Sequence, residues 1–184
     1  MIKQLGFTAA LALAGTALPT LAQTPPPPPP AEAKVQADPY VTAAAKSDLY
    51  EINSSQIALQ KSQNPEVKRF AEMLIKHHQQ TTAATTAAAQ QAGLSPTPPT
   101  LDPGAAASIN ELQSAAPADF DRLYLAQQVP AHQAALDLHR SYGKGGDQAV
   151  LRASAKKAVP IVQQHLTTAE RMMKGAGGTA PGSM

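Results

Sequence analysis

The sequence predicts an all-α protein whose folded part is a single four-helix bundle. Four stretches of about 25 residues each carry apolar or small side chains at three- and four-residue steps, the spacing that lines one face of a helix. No stretch alternates as a strand does, and aromatic residues make up only 4% of the chain, too few for the usual sheet core. Pro and Gly clusters punctuate the four stretches where helix ends are needed.

The first residues read as an export signal. Lys3 is followed by an apolar run from Leu5 to Leu18, and Thr20-Leu21-Ala22 places small side chains before a cut after Ala22. The run is shorter than the roughly 20 apolar residues that cross a bilayer, and Gly15 and Pro19 interrupt it. The expectation is a cleaved leader at 1–22 and a periplasmic or secreted mature chain with no transmembrane span. With no cysteine, the chain has no disulfide, thiolate metal site or lipidated N-terminal Cys. Of 15 basic and 13 acidic residues, only Lys3 lies in the leader, so the mature chain is nearly neutral. Such a charge balance gives no hold on nucleic acid.

Six consecutive prolines, Pro25 to Pro30, favour an extended polyproline rod, and residues 23–37 are expected to be a disordered tether. The bundle is placed at 38–174. Asp38-Pro39 offers a cap and a first-turn proline for the first helix. Its inward positions are Val41, Ala44, Ala45, Asp48, Ile52, Ser55 and Leu59, and it runs to about Ser62. Asn64-Pro65 repeats the start signal for the second helix, whose stripe is Val67, Phe70, Ala71, Leu74, His78, Thr81 and Thr85, with Gly93 as its stop. Residues 94–117 are a Pro-rich connection long enough to cross the length of the bundle, with a capping box at Ser108-Ile109-Asn110-Glu111 opening about two turns of helix. The third helix is expected from Ala118 or Asp119 to Tyr142, a Gly turn at 143–147 ends in the cap Asp147, and the fourth helix runs from Gln148 to Lys174. Residues 175–184 are expected to be a disordered tail. Whether the third helix runs parallel to the second is open at this point.

Glu51, His78 and His132 fall near one level of such a bundle. Glu51 precedes Asn64 by 13 residues and His78 follows it by 14, while His132 follows Ala118 by 14. His165 fits less well, because a turn over residues 143–147 puts the level of His132 near Val159, six residues or about 9 Å short. One Glu and three His form a set suited to a single zinc, copper or nickel ion. The rival reading is that the inward histidines hydrogen-bond Glu51, Asp121, Tyr124 or carbonyls released by Pro130 and Pro160. His77 should lie at the edge of the stripe, His139 should sit as a cation at a helix end, and Met172-Met173 should fill core.

The segment Asp48-Leu49-Tyr50-Glu51-Ile52 and the run Asn64-Pro65-Glu66-Val67-Lys68-Arg69-Phe70 through His77-His78 resemble the exported bacterial family called domain of unknown function 4142. Phe120-Asp121-Arg122-Leu123-Tyr124, Val129-Pro130-Ala131-His132 and Val159-Pro160 with His165-Leu166 continue the likeness over residues 38–173. It implies a ferritin-like bundle and, by association, an envelope or stress role. The family pattern commonly has Asp where this chain has His77. Di-iron bundles need Glu three residues before their His; here Ile75, Val129 and Val162 stand at those positions, which argues strongly against di-iron chemistry and makes a ferroxidase-like enzyme the least favoured reading. The chain is therefore expected to be a non-enzymatic binding or structural protein, with a mononuclear metal site at Glu51, His78, His132 and His165 as the alternative. The partner, an envelope protein or a second copy, is not specified by the residues.

Overall fold

A computed structural model of the chain describes residues 25–177. The expected leader at 1–22 and residues 178–184 of the expected tail lie outside the described part. Five α-helices follow a short 3-10 turn at Ala31–Lys34: α1 (Ala37–Lys61), α2 (Pro65–Gln91), α3 (Pro103–Ser114), α4 (Pro117–Gly145) and α5 (Ala149–Gly177). The described residues form no strand, and none of their helices is long and apolar enough to cross a membrane.

The α1–α2 hairpin turns where the sequence places it. The Asn64 side chain accepts the Glu66 backbone N–H at 2.9 Å with Pro65 as the first helical residue, satisfying one of the donors that a helix start leaves unpaired. Gly93 ends the next helix at φ 79°, a left-handed value that suits glycine. All seven residues of the expected α2 stripe are buried. On α1 the stripe is rotated: Glu51, Ser54, Ser55 and Ala58 are buried, while Ile52 and Leu59 are only half-covered. Polar side chains are drawn inward here because polar partners await them, a preference that hydropathy does not register.

Several start signals need correction. The first helix begins at Ala37, with Gln36 rather than Asp38 at the cap. Pro39 then occupies the third helical position, where a missing N–H is still harmless because the first four have no partner in the helix. In the connection, Asp102 is the cap, accepting the Ala105 N–H at 2.9 Å, and Ser108 lies mid-helix with its hydroxyl donating to the Gly104 carbonyl. α3 is thus three turns rather than two. α4 starts at Pro117 without a side-chain cap and continues through Gly143 to Gly145. Asp147 holds the Tyr142 hydroxyl at 2.8 Å, and α5 begins two residues later.

The Pro-rich segment is not a free tether throughout. Ala33 is fully buried, the Asp147 N–H donates to the Val35 carbonyl at 3.0 Å, and Lys34 pairs with Asp137 at 2.6 Å. The chain before α1 therefore closes over the α4–α5 turn.

Two apolar clusters fix the helix directions. One contains Ala58 from the end of α1, Val67 and Phe70 from the start of α2, Phe120 and Tyr124 from the start of α4, and Met172 from the end of α5. The other joins Tyr40 and Val41, Ala88 and Ala89, Leu138 and Tyr142, and Leu151 and Ala155 from the opposite ends. Hence α2 and α4 run parallel, α1 and α5 run against them, and the 92–116 connection crosses the length of the bundle. Between the two apolar ends lies a buried polar middle containing Asp48, Glu51, His78, Thr81, Gln128, His132 and His165.

Candidate metal centre

Each helix of the bundle supplies one or more side chains to this middle layer. His78, His132 and His165, from α2, α4 and α5, are at most 1% exposed. Each offers a ligand nitrogen, and these nitrogens lie within 4.8 Å of one another. The three rings meet at centroid separations of 5.6, 5.1 and 5.3 Å.

His165 reaches this level because the last turn sits later than expected. With α4 ending at Gly145 and α5 starting at Ala149, the turn centres on residue 147. His165 is then only three residues beyond the position facing His132, about 4.5 Å of helix rise. Side chains lean towards the N-terminus of their helix. In this antiparallel pair His165 leans towards the turn and His132 away from it, so both leans close the remaining gap.

One nitrogen of each ring has a partner. His78 Nδ1 meets Asp48 Oδ1 at 2.7 Å, His132 Nδ1 meets the Gln128 carbonyl at 2.9 Å, and His165 Nε2 meets His77 Nδ1 at 2.9 Å. The other nitrogens, His78 Nε2, His132 Nε2 and His165 Nδ1, are buried without a hydrogen-bond partner. Buried polar atoms are nearly always paired, and leaving one unpaired costs about 1–3 kcal/mol. Three such atoms, on rings from three helices whose centroids lie within 5.6 Å of one another, are what a metal site looks like before its ion is considered, with the partnered nitrogens held as outer-shell partners hold them.

Asp48 was placed in the α1 stripe without a role, yet it is the anchor of His78. Its second oxygen accepts the Thr81 and Thr82 hydroxyls at 3.0 and 2.8 Å. Spacing could have found it, because Asp48 precedes Glu51 by three residues on the same face. The rival hydrogen-bond reading is met only in part: Tyr124 pairs with Ser55 at 2.9 Å, and His78 takes Asp48 as its partner.

Glu51 stands beside the cluster, not in it. Its Oε1 is 3.6 Å from His132 Nδ1, the nitrogen already turned to Gln128, and neither of its oxygens has a hydrogen-bond partner. Burial raises its carboxyl to about 7, against the pull of His78. Burial also lowers His132 to about 3 and His165 to about 2, with the charge of His78 acting in the same direction. Both rings are thus neutral, the form that donates a lone pair to a metal. For His78, burial lowers the pKa, but the hydrogen bond and charge of Asp48, with the charge of Glu51, raise it overall.

His139 is not a cation at a helix end. It is 4% exposed, its Nδ1 meets the Tyr40 hydroxyl at 3.0 Å, and burial lowers its pKa to about 4. The unfolded chain takes up a proton here near pH 6.5, which the folded chain refuses down to about pH 4. This contribution to stability is therefore full above pH 6.5 and is lost on acidification through that window. Urea unfolding at pH 7 and pH 5 should show His139→Gln losing on the order of 2 kcal/mol less than the unmodified protein between the two pH values.

Residues 18–172 match the family described as Domain of unknown function (DUF4142). The chain belongs to that family. No curated protein matches it in sequence. Among solved structures it is similar to "CopM in the Cu(I)-bound form", with a TM-score of 0.66 and 18% identity, covering 78% of this chain and 99% of that one. "CopM in the Cu(II)-bound form" gives a TM-score of 0.66 at 17% identity, covering 76% and 97%. "CopM in the apo form" gives 0.63 at 18% identity, covering 76% and 97%. At these identities the likeness is one of fold.

Proposed function

We propose that this DUF4142 chain is an exported, ferritin-like bundle that binds a single copper ion, or another ion of similar softness such as zinc or nickel, through His78 Nε2, His132 Nε2 and His165 Nδ1. The observation that carries this reading is the convergence of three unpartnered imidazole nitrogens in the buried middle of the bundle. Imidazole without thiolate suits zinc, copper and nickel, and the hard ions that want carboxylate oxygen are disfavoured. Three nitrogens no more than 4.8 Å apart surround a point at most about 2.8 Å from each, so closure onto bonds of ~2.0–2.1 Å asks each ring to move in by at most about 0.7 Å. That is a side-chain adjustment and leaves the helices in place.

Glu51, expected as a direct ligand, serves instead as the buried charge that offsets part of the ion's own. Asp48 and the Gln128 carbonyl fix the ring orientations. The structures of CopM with Cu(I), Cu(II) and silver support copper as the first ion to try, since that protein shares the fold. The parallel α2 and α4 joined by a full-length crossover support the ferritin-like description. The leader pattern around Lys3 and Ala22 supports export. No carboxylate joins the three histidines in this cluster among the described residues, which favours binding or carriage of a metal over di-iron oxygen chemistry.

Titration with Cu(II) or Zn(II) should reach one tightly bound ion per chain. At 1,000 times Kd the ion should stabilise the fold by about 4 kcal/mol, raising Tm by roughly 10 °C in a domain of this size. Absence of bound ion after dialysis, together with an unmoved Tm, would remove the reading.

A further inference from the structure

His78, His132 and His165 are sealed from water, so an ion needs a way in. His77 stands at that boundary. It is partly exposed, and its ring stacks on His165 at a centroid distance of 5.1 Å and 15° between planes. His165 therefore faces two ways: Nε2 outward to His77 Nδ1 at 2.9 Å, and Nδ1, without a partner, towards the inner cluster. A ring that offers its inner nitrogen as a lone pair carries its proton on the outer one. His165 Nε2–H then donates to His77 Nδ1, and His77 keeps its own proton on Nε2.

The separation of the outer pair is itself a metal bite. Two bonds of ~2.0–2.1 Å meeting at a right angle span about 2.9 Å, the distance between His77 Nδ1 and His165 Nε2. The other path from the cluster to the surface runs through Asp48 to the partly exposed Thr82. There both carboxylate oxygens are engaged, by His78, Thr81 and Thr82.

Resting on the metal-binding reading above, we propose that His77 is the entry ligand: with the outer nitrogen of His165 it captures the ion at the surface and passes it to the buried three-histidine site. Capture replaces the hydrogen bond between the two rings as His165 changes tautomer, its Nε2 proton leaving to water while Nδ1 takes one up. His165 then turns about its Cβ–Cγ bond and delivers the ion to His78 and His132; the Nε2–metal bond breaks, and the ring turns back with Nδ1, its proton given to water, taking the ion. Once the ion is held through Nδ1, Nε2 takes a proton back from water and its bond to His77 re-forms. No redox change is required.

As an entry ligand His77 sets the rate of uptake, and as the outer hydrogen-bond partner of His165 it also acts on Kd unless the replacement keeps an acceptor. A residue that only orients His165 changes Kd. The test compares the full chain with His77→Ala and His77→Gln, using Zn(II) or Cu(II) added as the bare ion. Uptake is followed by stopped flow, release by transfer to a chelator, Kd by competition, and folding by thermal melts. Both variants should melt as the unmodified protein does and take up the ion about tenfold or more slowly; Kd should stay within about threefold in His77→Gln, whose amide oxygen still accepts the His165 Nε2–H, and weaken about 10–100-fold in His77→Ala. Unchanged or faster uptake with tight binding overturns the entry role alone, as does a weakened Kd at an unchanged uptake rate. Absence of binding by the unmodified protein removes this role together with the reading beneath it.

Discussion

Replacing His132 by leucine should make the metal-free protein more stable and leave it unable to bind metal. His132 Nε2 is fully buried and unpartnered, and removing such an atom recovers about 1–3 kcal/mol of desolvation. Leucine fills comparable space, and the Gln128 carbonyl keeps its ordinary helical acceptor role towards the residue one turn on. Tm of the metal-free variant should rise by several degrees at about 2–4 °C per kcal/mol. The same variant should show no Tm increase with Cu(II) or Zn(II). Loss of an outer-shell partner weakens metal binding about 10–100-fold, and loss of a direct ligand should exceed that range. The pair of opposite signs is the signature of a site kept for function at the expense of stability. If His132→Leu destabilises the metal-free fold by several kcal/mol, the ring is a structural element and the site assignment fails.

The second large effect lies at Asp48. Its carboxylate accepts from His78, Thr81 and Thr82 in a setting that is 5% exposed. Asp48→Ala leaves the buried His78 Nδ1 without its partner and removes an acceptor from Thr81 and from the partly exposed Thr82, and breaking a buried charged pair of this kind typically costs about 3–5 kcal/mol. Chemical denaturation should show that loss in the metal-free protein. Asp48→Asn keeps the shape and an acceptor oxygen for the His78 Nδ1–H, so it should fold better yet still weaken metal affinity about 10–100-fold through a less basic His78. Equal metal affinity in the Asn variant and the unmodified protein would separate Asp48 from the site.

Much of this molecule is legible in its sequence, because helical spacing and Asn64-Pro65 are local signals. The α2 stripe from Val67 to Thr85 could be read from the chain, and so could the crossover. What could not be read depends on contacts between distant segments. Ala33, Val35 and Lys34 pack on the α4–α5 turn, so a segment with polyproline composition is partly ordered by partners more than 100 residues away. The α4 end at Gly145 moved the turn by two residues, and that small shift brings His165 level with His132. Glu51 was placed at the right level, but level does not specify which nitrogen of which ring it faces. Asp48 and His77 were visible as residues of the right type, and only the packed bundle shows them holding the outer nitrogens of His78 and His165.

The most direct test of the three-histidine centre is X-ray absorption on the copper- or zinc-loaded protein. The account predicts about three imidazole nitrogens at ~2.0–2.1 Å, with the outer-ring scattering of imidazole. A first shell of sulfur, which only methionine could supply in this cysteine-free chain, or a shell of oxygen without imidazole, would contradict it.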